Sequence, residues 1–129
     1  MKSGDFQRIW HIKGYTEGIA NSITRFGNDI NIFSNDSDFY DSVSMKLMQI
    51  GELCGGLSSE FKEETKDKLP WGAIRGMRNF FAHNYISMDK SIIWDAATID
   101  APIMLAFCKQ IISEHLDEFA SLDVELMAT

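Results

Sequence analysis

Four side chains suited to phosphate chemistry lie within one eight-residue segment of the chain. They are Arg78, Asn79, His83 and Tyr85, in the pattern R-N-x-x-x-H-x-Y. Cleavage of an RNA backbone needs a base for the 2′-hydroxyl proton, a cation for the charge that develops on phosphorus, and an acid for the leaving oxygen. His83 can transfer protons near neutral pH, and Arg78 offers fixed donors to a phosphate. The segment is therefore a candidate phosphate site, although an Arg and a His near a helix end also commonly cap carbonyls or form ion pairs.

Helical geometry places a condition on such a site. Each residue of an α-helix advances by about 100°, so Arg78 and His83, which are five apart, point about 140° away from each other. Either the helix unwinds before His83, or two copies of the helix meet and each supplies part of one cleft. A symmetric dimer would bring in Arg78, and with it Arg75, twice, because a two-fold interface uses the same patch on both subunits.

Composition predicts a single globular domain that covers residues 1–129. The chain is 45% hydrophobic and 24% charged, and it contains no apolar run near the roughly 20 residues that span a bilayer. The first residues lack the apolar stretch of a signal peptide, so we expect a soluble, cytoplasmic protein with no membrane partner. A net charge of -7 argues against broad nonspecific binding to nucleic acid. Any polyanion must therefore find a local basic patch.

Cysteine and histidine positions give little sign of a metal centre. Cys54 and Cys108 are far apart among apolar neighbours, which is typical of buried, reduced thiols. His11, His83 and His115 are isolated from other potential ligands. Phosphate-binding and dinucleotide-binding glycine motifs are absent as well. We expect neither a metal nor a cofactor.

Apolar residues at helical spacing predict an all-α fold, an antiparallel bundle of four main helices plus a short exposed helix. The predicted elements are helix 1 over about residues 5 to 30, helix 2 from a cap at Asp36 or Ser37 to about Leu57, a short charged helix over 58–68, helix 3 from Pro70 to Tyr85, and a last helix capped by Asp89 with a kink or break near 99–102. Asn and Ser residues around 31–38 indicate a turn between the first two helices. Gly51 suggests close packing, whereas Gly55 and Gly56 mark the end of helix 2.

The motif segment resembles a known family. The pattern R-x4-H-x-Y, preceded by P-W-x-x-I-x-G-M-R-N, is similar to the HEPN superfamily, specifically to the HepT-like toxins of toxin–antitoxin modules. The resemblance extends to Ile50-Gly51-Glu52 and to Asp89 through Trp94. It implies a homodimeric helical bundle that acts as a metal-independent endoribonuclease, with Arg78 and His83 as the catalytic pair, Asn79 as a supporting residue and the cleft between two motif helices. Glu52 is a candidate to orient Arg78, and a merely solvated carboxylate is the alternative.

The same resemblance implies a partner, an MntA-like nucleotidyltransferase antitoxin encoded beside the toxin. In some members it transfers AMP to the tyrosine of the motif, which is Tyr85 here. An adenylyl group would add negative charge and bulk two residues from His83, and would therefore repel RNA. Tyr85 also continues the apolar stripe of Ile74 and Phe81, so a buried tyrosine remains open. The competing function, favoured by the acidic charge, is a non-catalytic partner that binds or regulates a nucleotidyltransferase.

Overall fold

The computed structural model describes residues 1–84 and 89–120, and of residues 83 and 84 it describes the backbone only. All regular elements within these residues are helical, which confirms the predicted all-α bundle. They are α1 (Ser3–Phe26), α2 (Ile30–Asn35), α3 (Ser37–Gly55), α4 (Ser59–Glu64), α5 (Trp71–Asn84), α6 (Lys90–Asp95), a π-helical segment (Ala96–Asp100) and α7 (Ala101–His115).

The core lies where α1 packs between α3 and α7. Phe6, Ile9 and Ile12 follow one another at the three- and four-residue spacing of a helix face and are fully buried. Val43 of α3 and Cys108 of α7 are also fully buried against them. The three long helices therefore form one apolar core, and α5 is added to its outside through α3.

The first helix ends earlier than the sequence predicts. Gly27 has a φ of 117°, a left-handed conformation that glycine tolerates, and it ends α1 at Phe26. Asp29 then caps a new helix by accepting a hydrogen bond from the backbone N–H of Asn31, at 2.7 Å. The expected turn is thus largely α2, which is anchored by the fully buried ring of Phe33. The prediction of one helix to residue 30 is wrong because the Asp side chain starts a helix there.

The predicted caps Asp36 and Asp89 are confirmed. Asp36 accepts from the backbone N–H of Phe39 at 3.1 Å and begins α3, while Asp89 accepts from that of Ser91 at 2.9 Å and begins α6. Ser58 caps α4, the short charged helix, by accepting from the N–H of Phe61. Because Pro70 precedes Trp71, α5 also begins where the sequence indicates.

Of the expected kink or break near residues 99–102, the break is wrong, because the backbone stays helical through this region and only a local π turn interrupts the α-helix. Asp95, Ala96, Asp100 and Ala101 all have right-handed helical dihedral angles, and the N–H of Ala101 bonds to the carbonyl of Ala96, five residues back. A proline ring clashes with the carbonyl of an α-helix four residues earlier. The wider π turn lies immediately before Pro102 and relieves that crowding without ending the helix.

Because this helix is continuous, its length bears on one sequence-based expectation. Lys90–His115 is 26 residues long and has a mean hydropathy of 1.4 over its most apolar window, so length and composition alone would allow it to cross a membrane. The sequence of this helix is interrupted by Asp95, Asp100 and Lys109, so it contains no continuous apolar run of that length. Core helices of bundles share this property, and Ile93, Phe107 and Ile111 of this helix are buried in the core.

Both cysteines are buried free thiols, as predicted. Burial raises the pKa of Cys54 to about 12 and that of Cys108 to about 12. Neither thiol is therefore ionised near neutral pH, so neither has the reactivity of a nucleophilic cysteine.

Candidate functional site

The motif helix α5 is attached to the bundle along one narrow stripe. Ile74, Met77 and Arg78 are half-buried and Phe81 is buried, whereas most other positions of α5 are exposed. The stripe packs against α3. Gly76, on the opposite side, has open space around it. Much of the surface of α5 is therefore available for contacts with other molecules.

Arg78 forms a two-point ion pair with Glu52 of α3. Its Nε donates to Oε1 of Glu52 at 3.0 Å, and its Nη2 donates to Oε2 at 3.3 Å. Hydrogen bonding to this carboxylate raises the pKa of Arg78, and the charge of Glu52 acts in the same direction. Glu52 orients Arg78 and is also largely solvated, so both sequence-based descriptions of Glu52 apply. Among the described residues, no hydrogen bond engages Nη1 of Arg78 or the second donor of Nη2, so these donors suit a phosphate.

Two glycines of α3 provide the surface on which Arg78 lies. A Cβ atom added to Gly51 would lie 3.2 Å from Cβ of Arg78, and one added to Gly55 would lie 3.3 Å from Cζ. The close packing that the sequence predicts at Gly51 is confirmed, and Gly55 serves the same contact besides ending α3. Because these glycines are four residues apart, they lie on one face of the helix and form a flat support for the side chain.

A hollow of about 230 Å³ opens beside Arg78, and we call it the basic hollow. Three cations line it: Lys62 of α4 and Arg75 and Arg78 of α5. The remaining lining consists of small or apolar residues, namely Gly51, Cys54, Gly55, Trp71 and Ile74. Arg75 was predicted to add positive charge next to Arg78, and the structure brings the two together.

Lys62 is the residue of this site that sequence reasoning missed. It belongs to a helix with several charged residues, and its spacing there does not distinguish it from Lys66 or Lys68. Phe61 makes the difference, because burial of its ring against the core fixes the rotation of α4 and leaves Lys62 half-buried beside the hollow. Only tertiary packing provides that information.

Within the described residues, neither Lys62 nor Arg75 forms an ion pair, and two of the three acidic residues of α4 pair with other lysines. Glu63 pairs with Lys66 at 2.5 Å, and Glu60 pairs with Lys2 at 3.3 Å. The basic hollow therefore keeps unneutralised positive charge in a chain whose net charge is -7.

The rest of the motif is only partly described. Asn79 is exposed on α5, one residue beyond Arg78. The helix continues through His83 to Asn84, so the option that it unwinds before His83 is wrong. The side chain of His83 and the whole of Tyr85 lie outside the described residues. No grouping of three His, Cys, Asp or Glu side chains that would suit a metal occurs in the part of the chain that the structure covers.

A second cavity, of about 270 Å³, separates α5 from the π-helical segment and α7. Its walls are mainly apolar and include Leu47, Met77 and Met104, with Asp100 at one side. This lining offers few groups for chemistry. It explains why α5 relies on α3 for its attachment to the bundle.

Comparison with known proteins assigns the family. The family model described as "Ribonuclease HepT-like" matches residues 14–111, which contain the motif segment and the basic hollow. A curated protein of Caldanaerobacter subterraneus subsp. tengcongensis, named as a "Putative RNase", is 34% identical over 66 residues, which are 51% of this chain. The matched region spans 58% of the length of that relative. No solved structure matches the chain significantly. The family match covers most of the helical bundle, and the chain therefore belongs to the HepT-like ribonuclease family of the HEPN superfamily.

Proposed function

We propose that this protein is a metal-independent endoribonuclease toxin of a toxin–antitoxin module. The observation that carries the proposal is the position of Arg78, which is held by Glu52 and lines a hollow together with two further cations. This is the local basic patch that an acidic chain needs in order to bind RNA. Membership of a ribonuclease family supports the same reading.

The proposed reaction is an intramolecular transfer within the RNA chain. A base removes the 2′-hydroxyl proton, the 2′-oxygen bonds to the adjacent phosphorus, and the bond from phosphorus to the 5′-oxygen breaks as that oxygen takes a proton. The products are a 2′,3′-cyclic phosphate and a 5′-hydroxyl end. We assign proton transfer to His83 and stabilisation of the phosphorane charge to Arg78. Asn79 and Arg75 are assigned to binding of the substrate.

The proposed active form is a homodimer. Because α5 stays helical through His83, its backbone directs residues 78 and 83 about 140° apart. A cleft between two copies of α5 resolves this, since each copy then supplies one of the two groups. The exposed side of α5, with open space around Gly76, leaves room for such an approach.

Cleavage of RNA in the presence of EDTA tests the activity. We expect the wild-type protein to produce 2′,3′-cyclic phosphate ends, and His83→Ala and Arg78→Ala to lower the rate by at least about a hundredfold, the usual contribution of a proton-transfer group or a charge-stabilising donor. His11→Ala is the matched control, because His11 lies on α1 away from the motif helix. Full activity of His83→Ala would refute the assignment. A wild-type protein that cuts no RNA but binds a nucleotidyltransferase would instead support the non-catalytic alternative.

We further propose that an MntA-like nucleotidyltransferase antitoxin neutralises the protein by transferring AMP to Tyr85. The tyrosine lies two residues from His83, so the added phosphate would repel an RNA backbone at the cleft. Coexpression with a nucleotidyltransferase encoded beside the gene should increase the intact mass by one adenylyl group. Tyr85→Phe should remove the increase, while Tyr15→Phe should retain it. An unchanged mass in a pair that still suppresses toxicity would rule this modification out.

A further inference from the structure

The basic hollow contains more positive charge than the catalytic assignment uses. Arg78 is the assigned charge-stabilising group and Arg75 is its neighbour on α5, but Lys62 comes from a different helix. Its ammonium group is close enough to Cys54 to act against the rise in the pKa of that buried thiol. Lys62 and Cys54 both line the hollow, which agrees with this proximity.

The position of Lys62 is fixed by two sets of contacts. Phe61, its neighbour, packs its buried ring against Trp71 at 6.1 Å and Phe107 at 6.1 Å between ring centroids. The N-cap of the same helix, Ser58, binds the buried Asp5 through its backbone N–H at 2.8 Å. Because the helix is held in this way, the backbone of Lys62 is already in place and only its side chain has to be ordered when a ligand binds.

The walls of the hollow favour a compact anion. Trp71 forms one wall and is itself held, because its Nε1 donates to Oγ1 of Thr65 at 2.9 Å. The opposite side is the glycine surface of α3, which contributes no acidic side chain to the hollow. A volume of about 230 Å³ is several times the roughly 30 Å³ that one water molecule occupies in the liquid. A phosphate and part of its sugar fit that space.

Arg78 lines the hollow while its Nε edge is held by Glu52. A phosphate that contacts the remaining donors of Arg78 therefore lies beside the hollow that Lys62 and Arg75 also line. Every nucleotide of an RNA strand carries a phosphate, so a strand held at Arg78 brings a second phosphate close to these cations.

We propose that the basic hollow is a subsite for a backbone phosphate of RNA next to the scissile one, and that Lys62 is its principal ligand. This inference rests on the proposed ribonuclease function. It adds a substrate-binding residue on α4, outside the R-x4-H-x-Y motif, and makes binding depend on one more phosphate than the catalytic pair requires.

Binding of a single-stranded oligoribonucleotide with 2′-O-methyl groups tests the subsite, because such a strand lacks the attacking hydroxyl and is not consumed. Its affinity for the wild-type protein is measured at several salt concentrations. Each phosphate contact that is lost lowers the slope of log K against log salt by about 0.7 for a single strand. We expect Lys62→Gln to show this loss and to bind more weakly, and Lys62→Arg to keep the wild-type slope.

Lys66→Gln is the matched control, since it removes the same charge from an exposed lysine that pairs with Glu63 and does not line the hollow. Its slope should equal that of the wild type. Equal slopes for Lys62→Gln and Lys66→Gln, or no binding by the wild type, would overturn the subsite. Cleavage of unmodified RNA is measured in parallel. If the protein cleaves RNA but Lys62→Gln and Lys66→Gln have equal salt slopes, the subsite is refuted and the nuclease proposal stands. If Lys62→Gln lowers the salt slope but the wild-type protein cleaves no RNA, the subsite stands and the nuclease proposal is refuted.

Discussion

At the scale of single residues, the site depends on how Arg78 is held. The sequence gives the guanidinium and a candidate carboxylate, Glu52, and the structure joins them by two hydrogen bonds. It also shows why Gly51 and Gly55 are glycines, because the side chain of Arg78 lies across both. A Cβ atom at either position would displace the side chain of Arg78.

Gly51→Ala tests this support. Replacing a helical glycine by alanine contributes roughly 0.5–1 kcal/mol to stability through helix propensity. Gly14→Ala should show that gain, since a Cβ at Gly14 meets nothing within 4 Å. At Gly51 the new Cβ would lie 3.2 Å from Cβ of Arg78, so the gain should be reduced or lost.

The shift of Arg78 in Gly51→Ala should also slow the reaction. A misplacement of about 1 Å in an active site costs roughly a hundredfold in rate, so a displacement of a few tenths of an ångström should lower kcat/KM by about tenfold. Urea unfolding and RNA cleavage of Gly51→Ala and Gly14→Ala provide the comparison. Equal stabilisation and equal activity of the two variants would show that the glycine does not support Arg78.

Residue-level prediction from the sequence succeeds where chemistry and spacing are local. Arg78, Arg75 and Asn79 belong to one helix, so a helical repeat is enough to place them together or apart. Lys62 is different, because its direction depends on the burial of Phe61 in a core built from distant parts of the chain. Charge patterning alone describes it as one more exposed lysine.

At the scale of helices, short polar side chains determine where most elements begin. Asp36, Ser58 and Asp89 each cap the helix that follows, and each boundary was predictable because capping needs only the adjacent residues. Asp29 is the counterexample. It lies among Asn, Asp and Ser residues that indicate a turn, and only the burial of Phe33 makes the short α2 stable.

The region before Pro102 shows the opposite error. Pro102, two residues after Asp100, indicates a cap followed by a new helix, yet both α6 and α7 bury residues in the core and form one unbroken backbone. Packing against α1 outweighs the local preference of Pro102 to begin a new helix. The π turn before Pro102 accommodates the proline ring without ending the helix. A single sequence cannot weigh these two effects because the packing energy comes from the partner helices.

The contact between Asp5 and Ser58 links the element scale to the site. Asp5 is only 3% exposed, and it accepts hydrogen bonds from both the backbone N–H and the hydroxyl of Ser58. The start of α1 thereby fixes the start of α4, and α4 carries Lys62. The two hydrogen bonds offset part of the cost of burying this carboxylate and give it a defined position.

At the scale of the whole molecule, the net charge of the chain and the charge of the basic hollow have opposite signs. The chain carries a net charge of -7, and two acidic residues of α4, Glu60 and Glu63, are paired with Lys2 and Lys66. The cations of the basic hollow are left with little local competition. Because exposed charges are screened beyond about 10 Å at 0.1 M salt, the distant acidic surface weakens phosphate binding in the hollow only slightly.

The proposed homodimer also belongs to this scale, and the unbroken helix α5 makes it testable. If the cleft takes Arg78 from one protomer and His83 from its partner, a heterodimer of an Arg78→Ala chain and a His83→Ala chain retains one intact cleft. We expect about half of the wild-type cleavage rate from this heterodimer, although each mutant homodimer is inactive. Coexpression of two differently tagged chains, followed by tandem purification, provides the species.

The reciprocal heterodimer is the control and must give the opposite result. A chain with both substitutions, paired with a wild-type chain, leaves each shared cleft without one of its two groups, so we expect no cleavage. If both groups instead acted within one protomer, the wild-type chain would keep a complete site. The double-mutant pairing would then be half-active and the complementing pairing inactive, because an undistorted α5 would have to bring together two side chains that its backbone directs about 140° apart.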